Sequence, residues 1–67
     1  MKFSFVNSSS VKKIREIYKS FKVILIEDNN LYTCNVVHPK GTTIAYSKNN
    51  LVAVRKAISK AIKELRN

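Results

Sequence analysis

The sequence predicts an α+β domain in the order β-α-β-β-β-α, with two helices packed on one face of a mostly antiparallel sheet. Three observations lead there. Apolar residues recur at every second position in short stretches and at helical spacing in two longer ones. The stretches are joined by brief runs of Asn, Asp, Ser, Pro and Gly. With one Gly and one Pro in 67 residues, little of the chain is left for irregular structure. A chain of this length forms one domain, residues 1–67, with a small core and no room for a large enclosed substrate cavity.

The first element, "KFSFV", sets Phe3 and Phe5 on one side of a short strand and Lys2 and Ser4 on the other. In "NSSSVKKIREIYKSF" the period lengthens. Val11, Ile14, Ile17, Tyr18 and Phe21 form the stripe of a helix about three turns long, N-capped by Ser8, Ser9 or Ser10. "KVILIED" carries large aliphatics on both faces, Val23 and Leu25 against Ile24 and Ile26, as a strand inside a sheet requires. Asp28, Asn29 and Asn30 tolerate positive φ and predict a tight hairpin into "LYTCNVVH". Pro39 and Gly41 in "HPKG" predict the next hairpin, into "TTIAYS". Ser47, Asn49 or Asn50 then caps the last helix, whose core stripe is Leu51, Val54, Ile58, Ala61, Ile62 and Leu65.

Thirteen Lys and Arg against four Asp and Glu give a net charge of +9 and a pI near 10.1. Such a balance favours an acidic partner: nucleic acid, an anionic membrane or an acidic protein face. On the last helix Lys56, Lys60 and Lys63 are expected opposite the apolar stripe, with Arg55 and Arg66 beside them and Glu64 the only acid. On the first helix Lys12, Arg15 and Lys19 line up against a single Glu16. Lys12 and Lys13 also fall in its first turn, where the helix dipole disfavours a cation by about 0.3–1 kcal/mol. Free N–H groups, serine hydroxyls and lysines at one helix start would cradle a phosphate, and Lys48 repeats the arrangement before the last helix. A helix built for stability alone mixes signs on its wet face, whereas uniform sign over two helices is the footprint of a phosphate-backbone binder. The candidate nucleic-acid-binding residues are therefore Lys12, Lys13, Arg15, Lys19, Lys48, Arg55, Lys56, Lys60 and Lys63. A membrane partner is not expected, because neither helix has a second apolar stripe bearing Trp or Phe and no run approaches the length of a span.

From Ser8 to Leu65 the order helix, three-stranded meander, helix resembles the double-stranded RNA-binding domain, and "SKNN" before the last helix is similar to that family's "SKK". The resemblance implies an RNA ligand, with Lys48 on phosphates across the major groove and Lys12, Arg15 or Lys19 near a minor groove. The hairpin "HPKG" also resembles the "HPDG" of the HicA-type messenger-RNA-cleaving toxins. Their catalytic His lies on the middle strand in a "GSH" context, where this chain has "NNLYTC", so this second resemblance implies fold and RNA affinity without cleavage. RNA is accordingly favoured over DNA.

No catalytic signature accompanies these features. His38 with Lys40 or Tyr46 could supply an acid and a base, but a lone His beside a turn proline is more often structural, and the chain is not expected to be an enzyme. No His, Cys, Asp or Glu set has metal-ligand spacing and no Gly-rich phosphate loop occurs, so neither metal nor cofactor is expected. Tyr18, Tyr32 and Tyr46 are assigned to the core face rather than to base stacking. Cys34 stands alone, a small buried hydrophobe that suits a reducing cytoplasm, and "MKFSFVNSSS" lacks the apolar region of a signal peptide. The main alternative is a protein partner. Helices on one face leave the other open, with Leu31, Thr33, Asn35 and Val37 on it, which would suit a homodimer or a small protein-binding inhibitor or adaptor of phage or mobile-element type, docking on an acidic partner.

Overall fold

The computed structural model describes residues 2–66, in the order β1 (Lys2–Phe5), α1 (Ser9–Ile17), β2 (Lys22–Asp28), β3 (Leu31–His38), β4 (Gly41–Ser47) and α2 (Asn50–Arg66). The four strands form one open antiparallel sheet in the order β1-β2-β3-β4, the expected α+β class. Its register is set by turn chemistry. Asn29 and Asn30 both take positive φ, 48° and 64°, which closes a two-residue turn and pairs Asp28 with Leu31. Past Pro39 and Lys40, Gly41 takes φ 135°, a value L side chains avoid, and pairs with His38.

That register decides which aliphatics of β2 see the helices. Val23 pairs with Val36 and Leu25 with Cys34, and Cys34 in turn with Ala45; these side chains share the covered face with Val11 of α1 and Ala53, Ala57 and Ala61 of α2. Ile24, Ile26, Thr33, Asn35, Ile44 and Tyr46 therefore point the other way, and Phe3 and Phe5 join them through their pairing with Ile26 and Ile24. Cys34, a free thiol, is fully buried, and burial pushes its pKa up to about 11.

Four sequence expectations change here. α1 stops at Ile17, because Tyr18 is extended (φ −117°, ψ 99°) and the chain must turn at once to enter β2 at Lys22. Phe21 leaves the helix but stays in the core, fully buried in that turn. Ile17 lies about 120° around α1 from Val11 and is 73% exposed, so it is not a core residue. On α2 the seam against the sheet is Ala53, Ala57 and Ala61, with Val54, Ile58 and Leu65 packed beside it, while Leu51 is 66% exposed. Tyr18 and Tyr32 pack against the core as expected, but Tyr46 is on the open face and 58% exposed.

Candidate nucleic-acid interface

The helix that carries most of the candidate cations begins at an asparagine cap. Asn49 Oδ1 accepts from the Val52 N–H (3.2 Å), and its carbonyl accepts from the Ala53 N–H (3.0 Å). Lys63 and Arg66 lie in the last turn, where the helix dipole favours them. Three alanines at four-residue intervals then let the backbone settle close over β3 and β4.

This seam rotates the charged stripe away from its expected position. Measured from Ala57, Lys60, Lys56 and Lys63 fall about 60–120° to one side, and Val54, Leu65 and Ile58 about 60–100° to the other. The lysines are therefore not opposite the core but on the flank above β4. Between them and that strand runs an open cleft of about 610 Å³, with Arg55, Lys56, Ser59, Lys60 and Lys63 on the helix wall and Ile44, Ala45 and Tyr46 on the strand wall. β4 is an edge strand, so side chains of both its faces are reachable from the side. No acidic residue lines the cleft. Among the described residues Arg55, Lys56, Lys60 and Lys63 make no ion pair and no side-chain hydrogen bond. Lys60 alone feels a carboxylate, that of Glu64.

The remaining candidates are placed less favourably. Lys12, Lys13, Lys19 and Lys48 are exposed and do not line the basic cleft. Arg15 folds back, donating from Nη2 to Asn7 Oδ1 at 2.8 Å, and is half-buried. The expected phosphate cradles at the helix starts are partly filled by the chain itself. Ser8 Oγ accepts from the Val11 N–H (3.3 Å), while Asn50 Oδ1 and Asn49 Oδ1 accept from Leu51 and Val52 (2.7 and 3.2 Å). A cleft of about 330 Å³ between the start of α1 and the aliphatic flank of α2 is lined mainly by Val6, Leu25, Leu51, Val54 and Ile58. Arg55 borders both this cleft and the basic one.

At the far end of α2 a second polar group closes the fold. His38 is buried, its Nε2 lying 2.8 Å from Thr43 Oγ1 and 3.3 Å from Glu64 Oε2, and the Thr43 hydroxyl donates to Glu64 Oε2 at 2.6 Å. The Lys40 N–H donates to His38 Nδ1 (3.2 Å), so in the neutral ring the proton resides on Nε2 and points at the Thr43–Glu64 pair. Nε2 thus helps hold the β3–β4 hairpin to α2 while Nδ1 braces the hairpin turn, and His38 does not line the basic cleft. The Thr43 hydroxyl, helped by His38 and Lys60, holds the Glu64 carboxyl below its usual range.

Ser59 lies within the basic stripe of α2, and Tyr46, assigned to the core from the sequence, instead lines the cleft. Among the described residues no group of His, Cys, Asp and Glu could hold a metal ion, and no helix is long and apolar enough to cross a membrane. Compared with protein-family models, with curated proteins and with solved structures, the chain has no match.

Proposed function

We propose that this protein binds nucleic acid, RNA in preference to DNA, through the phosphate backbone in the cleft between α2 and β4. The observation that carries this reading is the row Arg55, Lys56, Lys60 and Lys63 on one wall, with no acid lining the cleft and, among the described residues, no ion pair within 4.0 Å for any of the four; only Lys60 feels a carboxylate, that of Glu64. Four cations along one groove neutralise a run of phosphates and release counterions. Tyr46, exposed at the strand wall, offers a face on which an unpaired base stacks, which favours single strands and loops over continuous duplex. Ser59, midway along the row, can hydrogen-bond a ribose 2′-OH and so tilts the choice toward RNA. Lys12, Lys13, Lys19 and Lys48 act as a diffuse field that speeds encounter. Arg15, tied to Asn7, contributes least. With one buried thiol, the protein suits a reducing cytoplasm.

Anisotropy titrations with single-stranded RNA, single-stranded DNA and duplexes of both, each at two salt concentrations, test the proposal. Binding should weaken steeply with salt. The Lys56→Gln/Lys60→Gln/Lys63→Gln variant should lower the slope of log K against log salt by about 2–3. Tyr46→Ala should cost about 1–3 kcal/mol on single strands and much less on duplex. Undiminished affinity in the triple variant, or no binding to any of the four at low salt, would sink the proposal.

A further inference from the structure

The helices cover one face of the sheet, and none of the described residues covers the other. On that open face Phe3 (68% exposed), Phe5 (60%), Ile44 (41%) and Tyr46 (58%) surround Ile24 and Ile26, and the rings of Phe3 and Phe5 meet edge to face at 6.2 Å. Of the thirteen Lys and Arg, the face carries Lys22 alone, at one end of β2, with Asp28 at the other end. A chain of net charge +9 thus keeps its cations off one whole side.

Two features indicate what covers it. The first is area. Aromatic side chains present about 150–250 Å² each, so the exposed parts of this face come to roughly 600 Å² per chain; two copies would bury about 1,200 Å², the lower bound for a stable protein interface. The second is Asn35, in the middle of the row Phe5–Ile24–Asn35–Ile44. Its Oδ1 is buried without any hydrogen-bond partner, although the residue as a whole stays partly exposed. A two-fold contact sets a residue near its axis against its own copy, and two Asn amides so placed, each turned about χ2 to bring its enclosed Oδ1 outward, satisfy each other, Nδ2–H to Oδ1 both ways. The rim charges are complementary as well. A two-fold axis at the Asn35 row that reverses strand direction brings Lys22 over Ile26 of the other copy, two residues from its Asp28.

We infer that the protein is a homodimer joined through the open faces of its two sheets, with Asn35 pairing with its counterpart across the two-fold axis. The interface borders the basic cleft along β4, where Ile44 and Tyr46 belong to both, and the inference stands whatever the cleft binds. Sedimentation equilibrium on the nucleic-acid-free full chain tests it. At about 100 µM the mass should be twice 7.7 kDa. Phe5→Asp, Ile44→Asp and Asn35→Asp should each return the mass to that of one chain, with the far-UV circular dichroism unchanged because Phe5 and Ile44 leave no core void. Lys56→Gln/Lys60→Gln/Lys63→Gln should leave the dimer intact. A single-chain mass for the unaltered protein overturns the inference and leaves the face to a different protein. A dimer indifferent to Phe5→Asp and Ile44→Asp overturns it too, since the contact would then lie elsewhere.

Discussion

Thr43 and Glu64 show how much one hydroxyl and one carboxylate can settle. They lie 21 positions apart, yet with His38 they fix the β3–β4 hairpin to the last turns of α2. Thr43→Val keeps the shape and deletes the donor, and should lower stability by about 1 kcal/mol in urea unfolding. The Glu64 carboxyl has a lowered pKa in the folded protein, so its contribution is complete above the unfolded value and fades as pH falls through the folded one. Between about pH 6 and pH 3, the urea midpoint of Glu64→Gln should therefore fall less than that of the parent protein. Equal falls would mean that the carboxylate contributes nothing to the acid limb. His38 was visible in the sequence as a lone imidazole beside a turn. Its partners were not, since a polar contact between distant strands and helices leaves no periodic trace.

At the scale of elements, what was legible is what is decided locally. Asn29 and Asn30 announce the first hairpin because few other residues tolerate φ near 50–60°; Asn30→Val should cost about 1–3 kcal/mol and lower the melting temperature. Strand existence, order and the face carrying Leu31, Thr33, Asn35 and Val37 were legible for the same reason, through the two-residue period and the short turns. The rotation of α2 was not. Ala53, Ala57 and Ala61 count for little in a hydrophobic stripe beside Leu51 and Ile62, but the space beneath a helix goes to the side chains that fit it, and over β3 and β4 that space admits only methyl groups. Ala57→Leu should thus cost about 1–3 kcal/mol by overpacking, whereas Leu51→Ala should cost little. That rotation converts an ordinary wet stripe into one wall of a cleft. It also sets Tyr46 across a groove from the α2 cations, a neighbourhood that helical periodicity alone does not reveal.

Across the whole molecule, chemistry is divided by side. The helical side is polar and positive, and the far side of the sheet is apolar and nearly uncharged. In the proposed dimer the layers run helix, sheet, sheet, helix, with the sheets about 10 Å apart and a basic cleft on each outer surface. The two proposed contacts should then answer salt in opposite senses. Raising it from about 50 to 500 mM screens repulsion between two chains of like charge and tightens self-association, while nucleic-acid affinity drops. Sedimentation and anisotropy on the same samples would reveal the opposition, and a shared direction would show that one surface serves both contacts. Cys34, beneath α2 in the inner strand β3, adds a practical gift: the molecule brings its own clock. Alkylating reagents cannot touch a sulfur so enclosed and so reluctant to ionise until the core opens, so the pace of labelling counts openings directly. Any oligonucleotide that grips only the closed form should slow that pace in proportion to occupancy, with no dye attached anywhere.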